Sequence, residues 1–345
     1  MAPRDISFCS FNLLNLQLPG RPVYTNATGW TPDVYDRKIT FTARMLTRLD
    51  ADVFGFQELW APEALQQAMD LAAMNDSHIL LTPPGHRGDR IVCAAMVRRD
   101  MLVGEPEWIT SFPPEMVLKS GGDDPQQAQI SVNLSSFSRP VLRLRVRPAP
   151  AAPEITVFVC HFKSRRPAEI WRERDWYDAG IHANHRTALG YALSTIRRTA
   201  EAAALRVLIT NITKGTETPV VLIGDMNDGK DSNTLNILTE QPRYLSTLAM
   251  GGGDNALYTA QVLQEYRSTR DVYYTHIWQD QRESLDHILV SEQFYDNSRR
   301  RIWRFDDMIV MNDYLNWDDH KISGTTDHGI ILARFKWRPA QPGIV

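Results

Sequence analysis

Residues 220–228 read Val220-Val221-Leu222-Ile223-Gly224-Asp225-Met226-Asn227-Asp228, or "VVLIGDMND". Four aliphatic residues run straight into a glycine and a cluster of acid and amide groups. A continuous apolar run of this length reads as a strand covered on both faces. Carboxylates are costly to bury unless something compensates them. The run therefore reads as a stiff mount that holds a polar cluster in place.

The same pattern recurs outward from this point. Apolar, β-branched runs occupy 6–11, 51–57, 91–97, 141–146, 155–160, 285–291 and 329–335. Helical periodicity lies between some of them, at 33–50 (after Thr31-Pro32-Asp33), 62–73 and 186–212. The Pro/Ala-rich stretch 147–154 stands between two strands and reads as a hairpin connection. Strands alternate with helices in both halves and also follow one another directly, which predicts a layered α/β sandwich. No repeat, low-complexity tract or linker divides the chain, so one domain spanning 1–345 is expected. Two polar stretches, 15–32 and 163–185, are long for simple connections.

Composition narrows the function. A net charge of -3 excludes a globally basic nucleic-acid binder, so any polyanion site must be a local patch. Cys9, Cys93 and Cys160 all sit in apolar runs and read as buried free thiols. No apolar run approaches the roughly 20 residues of a membrane span. The start "MAPRDISFCSF" shows no signal-peptide pattern. A cytoplasmic monomer is the expectation, with an exported form carrying a trimmed leader as the alternative.

At or near the ends of the apolar runs stand Asn12, Glu58, His161, Asp225 with Asn227, Asp286, and Asp327 with His328. Singly, each has a structural reading. Asn12 and Asn227 read as turn formers, Glu58 as a helix start, His161 as a core histidine and Asp286 as an arginine partner. Together they supply carboxylate and amide oxygens suited to Mg²⁺ or Mn²⁺. The histidines lack zinc-ligand spacing and suit proton transfer. Such a set meets the needs of phosphodiester hydrolysis: an activated water, charge relief and a protonated leaving oxygen.

In sequence order, "SFNLLN", "FGFQELW", "CHFKS", "IGDMND", "LDHILVS" and "TTDHGIIL" resemble the endonuclease/exonuclease/phosphatase superfamily from about residue 6 to 335. The resemblance implies a four-layered α/β sandwich like deoxyribonuclease I, two packed mixed β-sheets flanked by helices. It implies a metal site at Asn12, Glu58 and Asp327, with Glu58 the principal Mg²⁺ ligand and Mn²⁺ or Ca²⁺ as alternatives. Asp225 and Asn227 match the pair that positions the attacking water. Asp286 matches the acid that orients the last histidine, His328. His161 matches a histidine that protonates the leaving oxygen, where the abasic-site branch of the superfamily carries a tyrosine.

The pair Asp-His also occurs at 319–320 and 286–287. Only Asp327-His328 directly precedes an apolar strand, so His320 reads as a loop residue and His287 as structural. Lys163, Ser164, Arg165 and Arg166 follow His161, and the aromatics Trp171, Trp176 and Tyr177 follow them. Basic residues interleaved with aromatics suit phosphate contact and base stacking. A similar run lies at 298–305. The expected activity is a metal-dependent nuclease cleaving DNA or RNA. The alternatives are a phosphatase or phosphodiesterase of phosphoinositide, phospholipid headgroup or nucleotide esters, and a non-enzymatic binding protein on the same scaffold.

Overall fold

The computed structural model describes residues 4–340 apart from 25–26, 124–125, 127, 174–182, 245–254, 269–272 and 317–318. The first eight strands are β1 (Ile6–Leu16), β2 (Val53–Leu59), β3 (His78–Leu81), β4 (Val92–Arg98), β5 (Glu107–Ser111), β6 (Leu118–Ser120), β7 (Ile130–Val132) and β8 (Ser136–Val146). They are followed by β9 (Ile155–His161), β10 (Val220–Asp225), β11 (Tyr258–Thr259), β12 (His276–Trp278), β13 (Gln281–Glu283), β14 (Asp286–Val290), β15 (Trp303–Met311) and β16 (Ile330–Trp337).

Two six-stranded sheets result, ordered β15-β16-β1-β2-β4-β3 and β11-β14-β10-β9-β8-β5, with β6-β7 and β12-β13 as small hairpins. Each large sheet has one parallel pair at its centre, β1 with β2 and β9 with β10; all its other pairings are antiparallel. The parallel pairs point their carboxyl ends at one rim. Their antiparallel neighbours β16 and β14 begin at that same rim.

The sheets pack face to face. Phe8, Val53, Ala95, Leu144, Val157, Val159, Val221, Ile223, Ile288 and Ile331 fill the space between them. At Gly55 an added Cβ would lie 3.0 Å from Ile223 Cγ2 and 3.1 Å from Val159 Cγ1, so the strands meet too closely there for a side chain. The opposite faces are also covered. Helices α1 (Pro32–Leu49) and α2 (Pro62–Leu71) join Cys9, Phe11, Phe54 and Phe56 in an outer core. The helices Arg186–Thr213 and Asn233–Thr239 lie over Phe158, Cys160, Val220 and Leu222. Val221 and Ile223 thus face the central core while Val220 and Leu222 face the helices, which is why the opening run is apolar at every position. The architecture is the four-layered, deoxyribonuclease I-like sandwich.

Helix α1 starts where expected. The Thr31 hydroxyl accepts from Val34 N, Pro32 occupies the first turn, and Asp50 ends the helix at φ 40°. Residues 147–154 do join an antiparallel pair, with Val146 opposite Ile155. Strands β3, β5, β6, β7, β11, β12, β13 and β15 were not among the expected runs. β5 and β15 are half-exposed sheet members whose polar residues interrupt the apolar pattern. The three cysteines are free and buried. No helix among the described residues is long and apolar enough to cross a membrane.

Candidate active site

The register of the strands brings the separated polar residues to one place. Asp225 lies opposite His161 on one side and Asp286 on the other. Glu58 closes β2, and His328 stands two residues before β16. Local backbone shape assists. Glu58 has φ 60° and falls where the pairing of β2 with both β1 and β4 shifts register. A non-glycine residue there carries strain of about 1–3 kcal/mol, a cost typical of residues aimed into a site. Asn227 also has φ 53°, a conformation asparagine tolerates well.

Asp225 is the hub. Its Oδ1 accepts from the Asn227 backbone N–H at 2.8 Å, and its Oδ2 accepts from Asn12 Nδ2 at 3.2 Å. His161 Nε2 lies 3.4 Å and His328 Nε2 3.8 Å from the same Oδ2. His328 Nδ1 donates to Asp286 Oδ2 at 2.8 Å. Thr275 Oγ1 accepts from the Asp286 N–H at 3.1 Å, and Tyr314 donates to the His328 carbonyl at 2.7 Å. Position and orientation of the imidazole are therefore set from both ends.

The charge states follow from burial and from neighbours. Burial raises the Asp225 carboxyl to about 7, against the pull of His328 and with help from Asp286. Burial also opposes charge on His328, but Asp286, Asp225 and Asp327 overcome it and hold its pKa well above the usual value. His161 is driven the other way, well below the usual value, by burial and then by Arg139, His328 and Lys163. One histidine is thus kept charged and the other neutral, a few ångströms apart.

On the far side of Asp225 lies a second oxygen cluster. Asn12 is wholly buried; its Oδ1 accepts from Leu14 N at 3.0 Å while its amide also hydrogen-bonds Glu58. Asn12 accordingly orients two carboxylates with its N–H groups. Glu58 Oε2 accepts from Asn15 N at 3.0 Å. Burial and Asp327 raise the Glu58 pKa, against His328 and Arg139. A carboxylate that resists ionising because of burial and a neighbouring negative charge suits a bound cation. Among the described residues, one trio (Asp225, Asp286 and His328) brings its ligand atoms within 4.8 Å of one another. A proton already bridges His328 and Asp286 within it, and Asp286 Oδ1 is buried without a hydrogen-bond partner. The donor set, rich in oxygens and with Asp286 Oδ1 left without a partner, fits a hard divalent ion.

The segment Lys163–Arg166 borders this site, but its members differ. Arg165 is committed: Nε donates to the Asn227 carbonyl at 3.2 Å, Nη2 pairs with Asp228 at 3.3 Å, and Nη1 pairs with Glu283. Lys163 Nζ reaches Ser164 Oγ at 3.3 Å, and Arg166 lies 5.9 Å from the Trp278 ring. Trp176 and Tyr177 lie outside the described residues. The run 298–305 is not at the site. Trp303 pairs with Trp337 at the far end of β16, whereas the His328 end pairs with Met311. Its arginines meet Glu292 and Asp296, and Trp303 and Phe305 are core residues.

Several site residues carry no sequence signal. Arg139 donates to the Phe162 carbonyl at 2.9 Å and acts electrostatically on Glu58 and His161. Lys38 is 2 % exposed, donates to the Thr325 carbonyl at 3.2 Å and is lowered to about 7 by burial, against the pull of Asp327 and Glu58. The His276 ring centroid lies 5.1 Å from that of His328. His287 bonds the Asp228 carbonyl at 2.9 Å, and His320 bonds Thr325 Oγ1 at 2.8 Å.

A model of the Endonuclease/Exonuclease/phosphatase family matches residues 9–328. The human Nocturnin catalytic domain with bound sulfate anion superposes with a TM-score of 0.54 at 15 % identity, covering 97 % of this chain and 95 % of that one. D. rerio TDP2 complexed with a single strand DNA product gives 0.52 at 16 % identity, covering 96 % and 99 %. An endonuclease/exonuclease/phosphatase from Bacteroides vulgatus gives 0.52 at 13 % identity, covering 97 % and 99 %. Identities this low show a shared fold. No curated protein sequence matches the chain. With nearly all of its length matched, from β1 to His328, the chain belongs to the Endonuclease/Exonuclease/phosphatase family, whose members hydrolyse phosphoester bonds.

Proposed function

We propose that this protein is a Mg²⁺-dependent phosphodiester hydrolase, a nuclease that cleaves DNA through attack of water and without a covalent intermediate. One observation carries the proposal: a charged histidine and a near-neutral carboxylate share a rim with two further carboxylates and a basic edge. Glu58 and Asp327 would hold the ion, with Asn12 orienting Glu58. A divalent cation there supplies Lewis-acid charge relief on the phosphate, and Mn²⁺ or Ca²⁺ are the alternative ions.

The chain's own groups supply the rest. Asp225, with its pKa about 7, accepts the proton of the attacking water, and Asn227 fixes the Asp225 orientation through its N–H. The new bond joins the water oxygen to phosphorus, the bond from phosphorus to the leaving oxygen breaks, and the leaving oxygen takes its proton from the His328 imidazolium, which Asp225, 3.8 Å away, recharges. His328, held as imidazolium by Asp286, faces the developing negative charge. His161, kept neutral, donates a hydrogen bond to a phosphate oxygen in place of the acid role its resemblance implies. Lys163 and Arg166 contact flanking phosphates, while Arg165 and Ser164 keep that loop in place. The D. rerio TDP2 structure with a single strand DNA product supports a nucleic-acid substrate on this fold.

The test is turnover of plasmid DNA, single-stranded DNA, RNA, inositol phosphates and nucleotides with Mg²⁺, Mn²⁺ or Ca²⁺. DNA cleavage that stops with EDTA and falls about 10²–10³-fold in His328→Ala is expected. Intact DNA beside rapid hydrolysis of a phosphoinositide or nucleotide would replace the nuclease by a phosphatase.

A further inference from the structure

The hairpin β12-β13 has no part in the chemistry above, yet it is fastened to it. Gln279 and Asp280 both have positive φ (49° and 63°), which closes the hairpin through a tight two-residue turn between the paired residues Trp278 and Gln281. Its base is tied to the segment of the charged histidine. Gly329 N donates to the Thr275 carbonyl at 2.6 Å, Asn312 Nδ2 donates to the Tyr274 carbonyl at 2.9 Å, and the His276 and His328 rings are in contact. Its second strand is tied to the basic loop through Glu283 and Arg165.

This braced element presents an indole to water. Trp278 is 58 % exposed. His276 and Trp278 are two apart on one strand and so share a face, about 7 Å from one another. That distance corresponds to about two base steps at the ~3.4 Å rise of a nucleic-acid strand. Arg166 stands over the ring at 5.9 Å. An indole with a guanidinium over one of its faces and 58 % of its surface open, two residues along the strand from the His276 that meets His328, is the equipment for stacking a base on the other face while pairing its phosphate.

We infer that Trp278, with Arg166, is a stacking platform for an unpaired nucleobase flanking the scissile phosphate. The enzyme therefore prefers single-stranded or locally unpaired nucleic acid over duplex, in which base faces are already occupied by their neighbours. This inference rests on the nuclease reading. It assigns a specificity role to Trp278 and gives it no part in bond breaking.

The experiment compares kcat/KM on two fluorophore–quencher polymers of equal length and charge: an oligothymidylate of about ten nucleotides and its abasic, tetrahydrofuran-phosphate counterpart. Stacking of one base makes the wild-type ratio of the two about tenfold in favour of thymidylate. Trp278→Ala lowers that ratio at least about fivefold, Trp278→Phe restores most of it, and thermal melting confirms that both variants are folded. A ratio that is the same in wild type and Trp278→Ala overturns the inference, as does an equal loss on both polymers. Wild-type enzyme that cleaves neither polymer, plasmid nor RNA removes the nuclease reading itself, a different result from a Trp278 variant that cleaves both with unchanged preference.

Discussion

Replacing Asp286 by asparagine keeps the shape of the buried pair with His328 and removes its charge. The 2.8 Å bond from His328 Nδ1 is charge-assisted, and such bonds contribute about 1.5–3 kcal/mol. Losing it moves the His328 pKa down, because the anion that holds the proton is gone. Burial opposes the imidazolium equally in both proteins, so the variant keeps only Asp225 and Asp327 as anions that favour the proton. The share of His328 held as imidazolium therefore falls, and kcat falls with it, by up to about 10²-fold, the scale of removing one charged donor from a transition state. The sign in pH is definite. Activity requires protonated His328, so the variant's alkaline limb moves to lower pH, toward the acid limb set by protonation of the Asp225 base, and the pH range of activity narrows. Stability gives a second reading. A raised folded-state pKa contributes stability that is fully present below 6.5 and is lost as pH rises through the folded value. The stability gap between wild type and variant is therefore widest in acid and closes as pH rises. Steady-state rates on a small phosphodiester with Mg²⁺ across the pH range, paired with denaturant unfolding in EDTA, measure both. Wild-type kcat at neutral pH with an unmoved alkaline limb would falsify the assignment of a charged His328 to the reaction.

Two further outcomes concern stability. His78, His161, His276 and His287 have pKa values lowered, in each case chiefly by burial; in the unfolded chain each takes a proton near 6.5, so each lowers folding stability as pH falls below 6.5, by up to about 1.4 kcal/mol per unit, while the raised Asp225 and Glu58 carboxyls offset part of that loss and leave a net decline. Urea unfolding in EDTA should show that decline, and a flat profile through the acid range would contradict it. Gly224→Ala would place a Cβ 2.1 Å from the Cys160 carbonyl oxygen, across the parallel pair that holds Asp225 and His161; a loss of about 3–5 kcal/mol in unfolding free energy is expected, and a variant within 1 kcal/mol of wild type would show that β9 and β10 separate readily at their ends.

Much of the architecture is legible in the chain because each core strand carries its own signal. Runs such as 155–160 and 220–223 are apolar at every position, and the fold covers both of their faces. The caps and proline starts of α1 and α2 are equally local. Strand β15 escaped because its polar positions 304, 306 and 307 interrupt the run, and the arginines at 299–304 suggested a polyanion site that the register places at the opposite end of the sheet. At the site, the sequence names Asn12, Glu58, His161, Asp225, Asn227, Asp286, Asp327 and His328 through short motifs at strand ends. It is silent on Arg139, Lys38 and His276, which stand in no motif and matter by position alone.

The sequence by itself determined the core strands, a layered α/β sandwich and the residue types offered at the rim, since these depend on local periodicity and on what side chain follows each apolar run; the count of four layers came from the family resemblance. Only the tertiary structure decided what those side chains are. That His328 is charged and His161 neutral, that Asp225 sits near neutrality, that Asn12 turns its N–H groups toward Glu58 and Asp225, and that Arg165 is spent on Glu283 and Asp228 all depend on distances between residues far apart in the chain. Ionisation and hydrogen-bond direction are set by burial and by the summed field of neighbours, and neither exists until the two sheets have closed on one another.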